Sequence, residues 1–569
     1  MHCRTRIGIE GLKATVALAM VTVLASHPAE AQQKSDSAVA RRRATLEQQR
    51  FESIRRQNLP LEYFDSRGQC DARIGRFCQW NSEDDTIEAK EPRVIRRARA
   101  ALLVKLDSAA RRAPRDGWIT GQRVRYLLEI RNDTAALRVA RSCQAAEWWC
   151  AALEGLALQE GSIIEPPDSA FARALRTMPA SERCRWTDMS AILEPEQRKR
   201  FGRVGCGRSE EIAERLWWLA DPFWSLAGND RRTEHYARHT MSKIMEPARI
   251  AYNLSWSSDI REMIVRYGWA RYWTRGPGTA HEPNSGAISG HEATPNYHFI
   301  PVSLNLDSVP QVSFDLDRDA SAERYAPVVA ERLFELDPQV AVFRRGDSVL
   351  VVAAYDVSKR AEFDSVPVTA SLVVARDEKS DARLESVNGV RGAIGVMVGT
   401  HPQLMSLEVL SSEARRAAWK RKGLSLSAME PGKVSMSDVL LFEPNDSGAD
   451  DLDAAMRSAL GSASAGRGKV GIYWETYGLA RTDSAMPVSL TLTRVAESTL
   501  RRIGQAIGLS SRTSPLTIRW SQMMSVGSVT SRSVVLDLSL IPRGKYVLRI
   551  ETEPRGSEIA ATSRVLEVR

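Results

Sequence analysis

Five of the chain's eight histidines fall in one stretch: His235, His239, His281, His291 and His298. His235 and His239 stand four apart, and on a helix that spacing turns both imidazoles to one side, where they can reach one metal ion. Glu234 precedes the first of them and does not sit inside an HExxH turn, while His281-Glu282 and His291-Glu292 follow in a glycine-containing loop. The chemistry open to such a set is metal-assisted hydrolysis, with zinc on His235, His239, His281 and His291 and with Glu234, Glu282 or Glu292 as base. The competing expectation, which leads, is a set of surface and loop histidines with no cofactor.

Ten of the fourteen tryptophans lie between Trp118 and Trp273. Trp217, Trp218, Trp224, Trp256, Trp269 and Trp273 form a candidate binding surface, since indole faces stack on sugar rings of envelope glycans and anchor protein partners. Indoles also fill gaps between packed helices, and packing is the leading expectation. Other motifs fail on spacing. Asp315, Asp317 and Asp319 alternate like the start of a calcium loop, but Ala320 and Ala326 occupy the places of its Gly and Glu. Arg345-Gly346-Asp347 reads as turn chemistry before a strand. Gly466-Arg467-Gly468-Lys469 lacks the first Gly and the Ser/Thr of a phosphate loop. No GxSxG elbow occurs, so no catalytic residue is assigned.

Six cysteines remain once Cys3 is set aside: Cys70, Cys78, Cys143, Cys150, Cys184 and Cys206. No CxxC or zinc-ribbon spacing occurs among them, and an even number suggests disulfides. The sequence-adjacent pairing (70 with 78, 143 with 150, 184 with 206) closes the shortest loops. On one straight helix Cys143 and Cys150 would be about 10.5 Å apart, beyond disulfide reach. That pair therefore requires a helix break near Gln144.

The elements that must position these residues change type along the chain. A charged helical segment spans Ala38 to Gln57. Ile95, Ala98, Leu102, Leu106 and Ala109 then recur at three- and four-residue spacing, as on an amphipathic helix, and Val124, Leu127 and Leu128 begin another after Pro114 and Gly117. Gly155, Leu158, Phe171, Ala174, Leu175 and Pro179 fall at the spacing of a tetratricopeptide-type helix pair, in which small residues admit a close approach and an aromatic fills the gap. From Leu304 the period becomes two. Strands are expected at 303–307, 349–355, 368–375 and 407–409, and again at 488–492, 516–518, 534–540 and 545–550. Residues 446–468, rich in Asp, Gly, Ser and Ala, read as a linker. Leu538 to Ile550 reads as two strands about a Pro/Gly turn, the closing hairpin of an immunoglobulin-like sandwich with Tyr546 near a strand start.

In the middle stand Asp221-Pro222-Phe223, Asn229-Asp230-Arg231, Glu234-His235, Arg238, Ser258-Asp259 with Arg261, and Arg266-Tyr267-Gly268-Trp269. This stretch of about 80 residues resembles the GWxTD domain family of exported bacterial proteins, although Gly268-Trp269-Ala270-Arg271 lacks the Thr-Asp that should follow. The resemblance implies a domain set beside helical repeats and followed by sandwich-like strands. It implies no activity and no catalytic residue, because the family has none established.

Arg4, Arg6 and Lys13, then the apolar run from Ala14 to Ser26, then Ala29-Glu30-Ala31 read as a secretory signal peptide cleaved before Gln32. Its ~13 apolar residues rise ~20 Å as a helix, short of a ~30 Å hydrocarbon core. No later stretch is long and apolar enough to span a membrane. The expected destination is the periplasm or the exterior. Net charge is +9, or +8 without the three cations and two anions of the signal. Its signs are interspersed, and no basic arm suggests nucleic acid. At 569 residues the chain needs several cores. The sequence thus predicts a multidomain protein, α then β. Its parts are a signal peptide (1–31), a cysteine-containing lead segment (32–90), a helical hairpin array resembling tetratricopeptide repeats (91–220), a GWxTD-like α+β region (221–300), a β-sandwich (301–445), a linker (446–468) and a second sandwich (469–569), both sandwiches immunoglobulin-like. The leading functional expectation is an exported, non-enzymatic interaction or scaffold protein whose partner is a protein or an envelope glycan.

Overall fold

The computed structural model describes residues 35–61, 72–79, 90–161, 165–193, 195, 198–199, 209–278, 286–291, 297–300, 323–330, 332–426, 428, 430, 432–445, 448–479, 485–495, 515–523, 529–553 and 558–569. The expected signal peptide, Cys70, Cys206, His281, Glu282, Glu292, the Asp315 to Asp319 run and the strand at 303–307 lie outside them. The chain divides into two compact units. One comprises residues up to 210 together with 228–296 and 319–325; the other comprises 211–227, 297–318 and 326–569. No helix among the described residues is long and apolar enough to cross a membrane.

The first unit is built mainly of helices: α1 (35–57), α2 (Arg93–Arg112), α3 (Gly117–Glu129), α4 (Asp133–Arg141), α5 (Glu147–Glu160), α6 (Asp168–Thr177) and α7 (Ala180–Thr187). After α8 (Ser209–Ala220), which belongs largely to the other unit, it resumes with α9 (Asp230–Met245) and α10 (Ser258–Tyr267). Two small hairpins complete it, β1 (Ala72–Ile74) with β2 (Phe77–Gln79) and β3 (Tyr272–Arg275) with β4 (Ile288–His291). Starts and stops follow local chemistry. Asp116 accepts the N–H groups of Trp118 and Ile119 to cap α3, and Asn229 accepts that of Arg232 to cap α9. Gly268, at φ +81°, ends α10 in a conformation that favours glycine. The periodic residues of α2 face inward, with Ile95, Leu102, Leu106 and Ala109 buried. Where α5 meets α6, a Cβ added at Gly155 would lie 2.8 Å from the Phe171 ring, so the helix approach depends on that glycine.

α1 is not a separate lead segment. Ala40, Ala44, Phe51 and Leu59 join α2, α3, Ala251 and Trp273 in one core, so the expected boundary near residue 90 falls inside a packed unit. Its charged sequence masked this, because the buried stripe also carries Gln48, Glu52 and Arg55. Cys143 and Cys150 are joined, with 5.5 Å between their Cα atoms, across the break between α4 and α5. Cys78 is in a disulfide, and so is Cys184, each with a partner other than Cys143 or Cys150.

The second unit holds two β-sandwiches. The first contains β5 (Arg332–Glu335), β6 (Gln339–Arg345), β7 (Ser348–Asp356), β8 (Thr369–Ala375), β9 (Arg383–Asn388), β10 (Arg391–Gly399), β11 (Gln403–Ser411) and β12 (Arg416–Leu424). Its sheets run in the orders β10-β7-β6 and β5-β12-β11-β8-β9, antiparallel except where β5 meets β12. Alternate residues such as Val349, Val351, Leu372, Val396 and Leu407 fill the space between them. The segment 211–227 is fastened to the second of these sheets. Buried Glu408 accepts the N–H groups of Trp224 and Ser225 at 2.9 Å each, and Arg421 donates to the carbonyls of Leu219 and Asp221 at 2.8 Å each. Asp221-Pro222-Phe223 therefore groups with the sandwich and Asn229 onward with the helices, so the expected 221–300 domain is divided between the two units.

The second sandwich contains β13 (Ser435–Met436), β14 (Leu440–Phe442), β15 (Ser464–Ala465), β16 (Lys469–Tyr477), β17 (Ala485–Arg494), β18 (Leu516–Met523), β19 (Val529–Asp537), β20 (Gly544–Thr552) and β21 (Ala560–Val568). β13, β14 and β19 all pair with β16, and the facing sheet runs β15-β21-β20-β17-β18. Two expectations are corrected. Residues 446–468 are not a linker: they carry α11 (Leu452–Arg457), and Ala449, Leu452 and Ala455 are buried with Phe343, Leu440, Phe442 and Tyr473. Small polar composition concealed a segment that fills the joint between the sandwiches. Nor is Leu538 to Ile550 a hairpin, because β19 pairs with β16 and β20 pairs with β17 and β21, so the Pro/Gly turn carries the chain from one sheet to the other. Tyr546 near the start of β20 donates its hydroxyl to the carbonyl of Pro542 at 2.8 Å.

Candidate functional site

The histidine cluster does not assemble as a metal site among the described residues, where no group of three or more His, Cys, Asp or Glu side chains is placed to hold an ion. His235 and His239 do face the same way on α9, with ring centroids 4.7 Å apart, but both are core residues. His235 Nε2 lies 3.1 Å from the Trp186 carbonyl, and His239 stacks on the Trp186 ring. Burial, then the neighbouring His239 ring and Arg231, push the His235 pKa well below the usual imidazole value. Burial pushes that of His239 down to about 3. Glu234 pairs with Arg238 at 2.7 Å. His291 lies on β4, stacked on Tyr272 and 2.6 Å from the Thr274 hydroxyl, and His298 belongs to the other compact unit. An i,i+4 pair specifies a shared direction, and here that direction is inward.

The tryptophan platform is corrected as well, since none of its six members is exposed. Trp217, Trp269 and Trp273 are buried. Trp218 and Trp224 are half-buried and stack on each other at 4.7 Å, with the Arg421 guanidinium 3.8 Å over Trp224. Trp256 packs against the helical core.

What the first unit does assemble is a buried ionic cluster beside a cavity. Glu52 of α1 accepts the Tyr126 hydroxyl at 2.8 Å and lies 3.4 Å from Arg55 and 3.3 Å from Arg125. Glu129, at the end of α3, meets Arg55, Arg99 and Arg125 at 2.5, 3.1 and 3.4 Å. Burial alone would raise the Glu129 pKa, but Arg55, Arg99 and Arg125 hold it below the usual carboxylate range. Gln48 ties the cluster to Tyr126 and to the Arg249 backbone, donating to both and accepting from the Arg249 N–H. Side chains at this depth persist only when paired and hydrogen-bonded. The Arg55 guanidinium lies 4.5 Å from the ring centres of both Phe51 and Trp273.

The cavity beside this cluster measures about 80 Å³ and is lined by Arg125, Leu128 and Glu129 of α3, by Arg131, by Met241 and Met245 of α9, and by Trp269 to Arg271 and Trp273 around the start of β3. Arg131 follows α3 at φ +57°, the left-handed turn that stops the helix, and is exposed. Trp269 and Trp273 were visible as candidates from sequence; Arg125, Glu129 and Arg131 were not. A buried stripe of mixed sign on α1 and α3 resembles a solvated face until the partner helix is known.

No protein-family model matches the sequence, and no curated protein matches it. Among solved structures, the chain is similar to a red sea bream transglutaminase at 9% identity, covering 41% of this chain and 31% of that one with a TM-score of 0.13. It is similar to the BSP domain of a biofilm-associated protein at 11% identity, covering 41% and 29% with a TM-score of 0.20. A third is a two-domain fibronectin type III segment of chicken tenascin at 12% identity, covering 40% and 98% with a TM-score of 0.11. The chain spans less than a third of the first two. Likenesses at these TM-scores carry no information on function.

Proposed function

We propose that this is an exported, non-enzymatic interaction or scaffold protein, in which two joined β-sandwiches present binding edges and a second unit is helical, of GWxTD and tetratricopeptide-like type. The single observation that carries the reading is the construction of the second unit. Its sandwiches share a closed apolar joint in which Phe343 and Val352 of the first pack with Leu440, Phe442 and Tyr473 of the second. The far sheet ends at β18, which carries exposed Leu516 and Ile518. A stiff pair of sandwiches with an apolar edge strand is suited to spacing and to strand-addition contacts.

The roles of the GWxTD-like residues support a shared fold signature. Arg238 donates to the carbonyls of Val265, Arg266 and Arg324, Arg231 is ion-paired with Glu323 inside the core, and Asp259 is bonded to Arg76. These residues hold elements together. The Gly155–Phe171 contact supports the tetratricopeptide-like reading of α5 and α6, and the Tyr546 to Pro542 bond supports an immunoglobulin-like second sandwich. Two measurements test the proposal. Intact mass of the protein recovered from its native cells should begin at Gln32 in the periplasmic or external fraction. A photo-crosslinker at position 518 should yield a discrete adduct with a protein or glycan there. A full-length cytoplasmic protein, or no adduct from position 518, would defeat it.

A further inference from the structure

We propose that the cavity between α3, α9 and β3 is a binding site for a small oxyanion, a free carboxylate, sulfate or phosphate or such a group ending a larger molecule. The inference goes beyond the scaffold reading and does not depend on it. Its wall offers donors and few acceptors. Both Glu129 carboxylate oxygens already face guanidinium groups, Oε2 those of Arg55 and Arg99 and Oε1 that of Arg125. Arg125 engages Glu52 and Glu129 through Nη2 and Nε, and its Nη1, within a side chain 98% buried, has no hydrogen-bond partner among the described residues. Trp273, 7% exposed, has an Nε1 with none either among the described residues. Both residues line the cavity, and leaving each buried N–H unmet costs about 1–3 kcal/mol.

Charge around the cavity is more evenly set: Arg55, Arg99 and Arg125 face Glu52 and Glu129, and Arg271 faces Glu160, whose side chain is 8% exposed. Glu91, 29% exposed, takes up part of Arg99 from the rim. At the mouth, exposed Arg131 and half-buried Arg271 stand near Asp133, and Arg271 is paired with Glu160. An oxyanion would accept from Arg125 Nη1 and Trp273 Nε1 while meeting the Arg131 charge at the entrance, the charge-assisted arrangement that Arg favours. The volume suits about five waters or one such group with a short stem beside Met241 and Met245, and it is too small for a sugar ring with its shell.

The test is isothermal titration of the full mature chain with sodium acetate, sulfate and phosphate, each against sodium chloride at matched ionic strength. Glutarate, whose carboxylate ends an unbranched stem, serves as the arm for an anion borne on a larger molecule. Saturable binding of at least one of acetate, sulfate and phosphate above the chloride control is expected, and binding of glutarate alone would assign the site to a tethered group. Arg131→Gln removes the entrance charge from an exposed side chain, and Trp273→Phe removes the N–H while keeping the ring over Arg55. Each should weaken binding about tenfold, Arg131→Gln with the melting profile unchanged. A fall of about fivefold or more in either folded variant supports the site. No saturable binding by any of the four anions, or undiminished affinity in both variants, overturns it and leaves the cavity to water.

Discussion

The side chains of His235 and His239 show how the same residue type can be read as a ligand from spacing and as packing from depth. Both titrate below the free imidazole range, His239 near 3, because burial disfavours the cation and because Arg231, Arg185 and Arg261 repel it while Asp188 offsets only part. Above about pH 6.5 neither the folded nor the unfolded chain protonates these rings, so their contribution to stability is fully present. As pH falls below that value the unfolded chain binds protons that the folded core refuses, and stability drops by up to about 1.4 kcal/mol per pH unit for each ring until the folded value is reached. Urea midpoints of the helical unit should therefore decline from pH 7 to pH 5, and His239→Phe should flatten that decline. A midpoint independent of pH in the parent would contradict the burial of the pair. The Glu52, Arg55, Arg99, Arg125 and Glu129 cluster makes the complementary point. Its members are individually ordinary surface residues, and only the docking of α1 on α3 turns them into a buried network with three cations and two anions.

At the scale of elements, close approach and covalent closure determine how helices pair. Replacing Gly155 by Ala raises intrinsic helix propensity by about 1 kcal/mol. It also places a methyl 2.8 Å from the Phe171 ring, which is itself fully buried, and overpacking of that kind costs about 1–3 kcal/mol. Packing is expected to win, so Gly155→Ala should lower the denaturation midpoint, and the double variant with Phe171→Leu should recover part of the loss. The Cys143–Cys150 bond closes a loop of a few residues at the α4 to α5 break, and paired replacement by Ser should cost about 2–3 kcal/mol on loop-closure grounds. Chemical denaturation of the Cys143→Ser/Cys150→Ser chain checks this. The break was legible in advance, because one straight helix would hold the two thiols too far apart. The pairing of β19 and β20 was not, since alternation reports which face a residue takes and says nothing about which strand lies beside it.

For the whole molecule, the joint between the sandwiches turns on one amide. Gln339 Oε1 accepts the Leu441 N–H at 2.6 Å and an Arg564 N–H at 2.7 Å, while its Nε2 donates to the carbonyls of Leu441 and Leu460. Burial then lowers the Arg564 pKa to about 10, with Asp438 opposing the shift. Gln339→Ala leaves the Leu441 N–H without its side-chain acceptor and should cost about 2–4 kcal/mol. Calorimetry of the chain should show the sandwich transition separating into two. A single unshifted transition would mean that the joint does not couple them.

By itself the sequence determined that helices precede strands, where seven of the strands fall, that Gly155 and Phe171 stand at the spacing of a helix pair, and that Cys143 and Cys150 need a break between them. Each of these follows from period, from turn chemistry or from the reach of a short loop, all of which are local. Tertiary structure alone decided that 446–468 fills a joint, that α1 belongs to the helical core, that the histidines and tryptophans face inward, and that Arg125 borders a cavity. Those outcomes depend on which surface arrives opposite a residue. A charged or polar side chain carries no local mark of whether that surface is water or an oppositely charged partner.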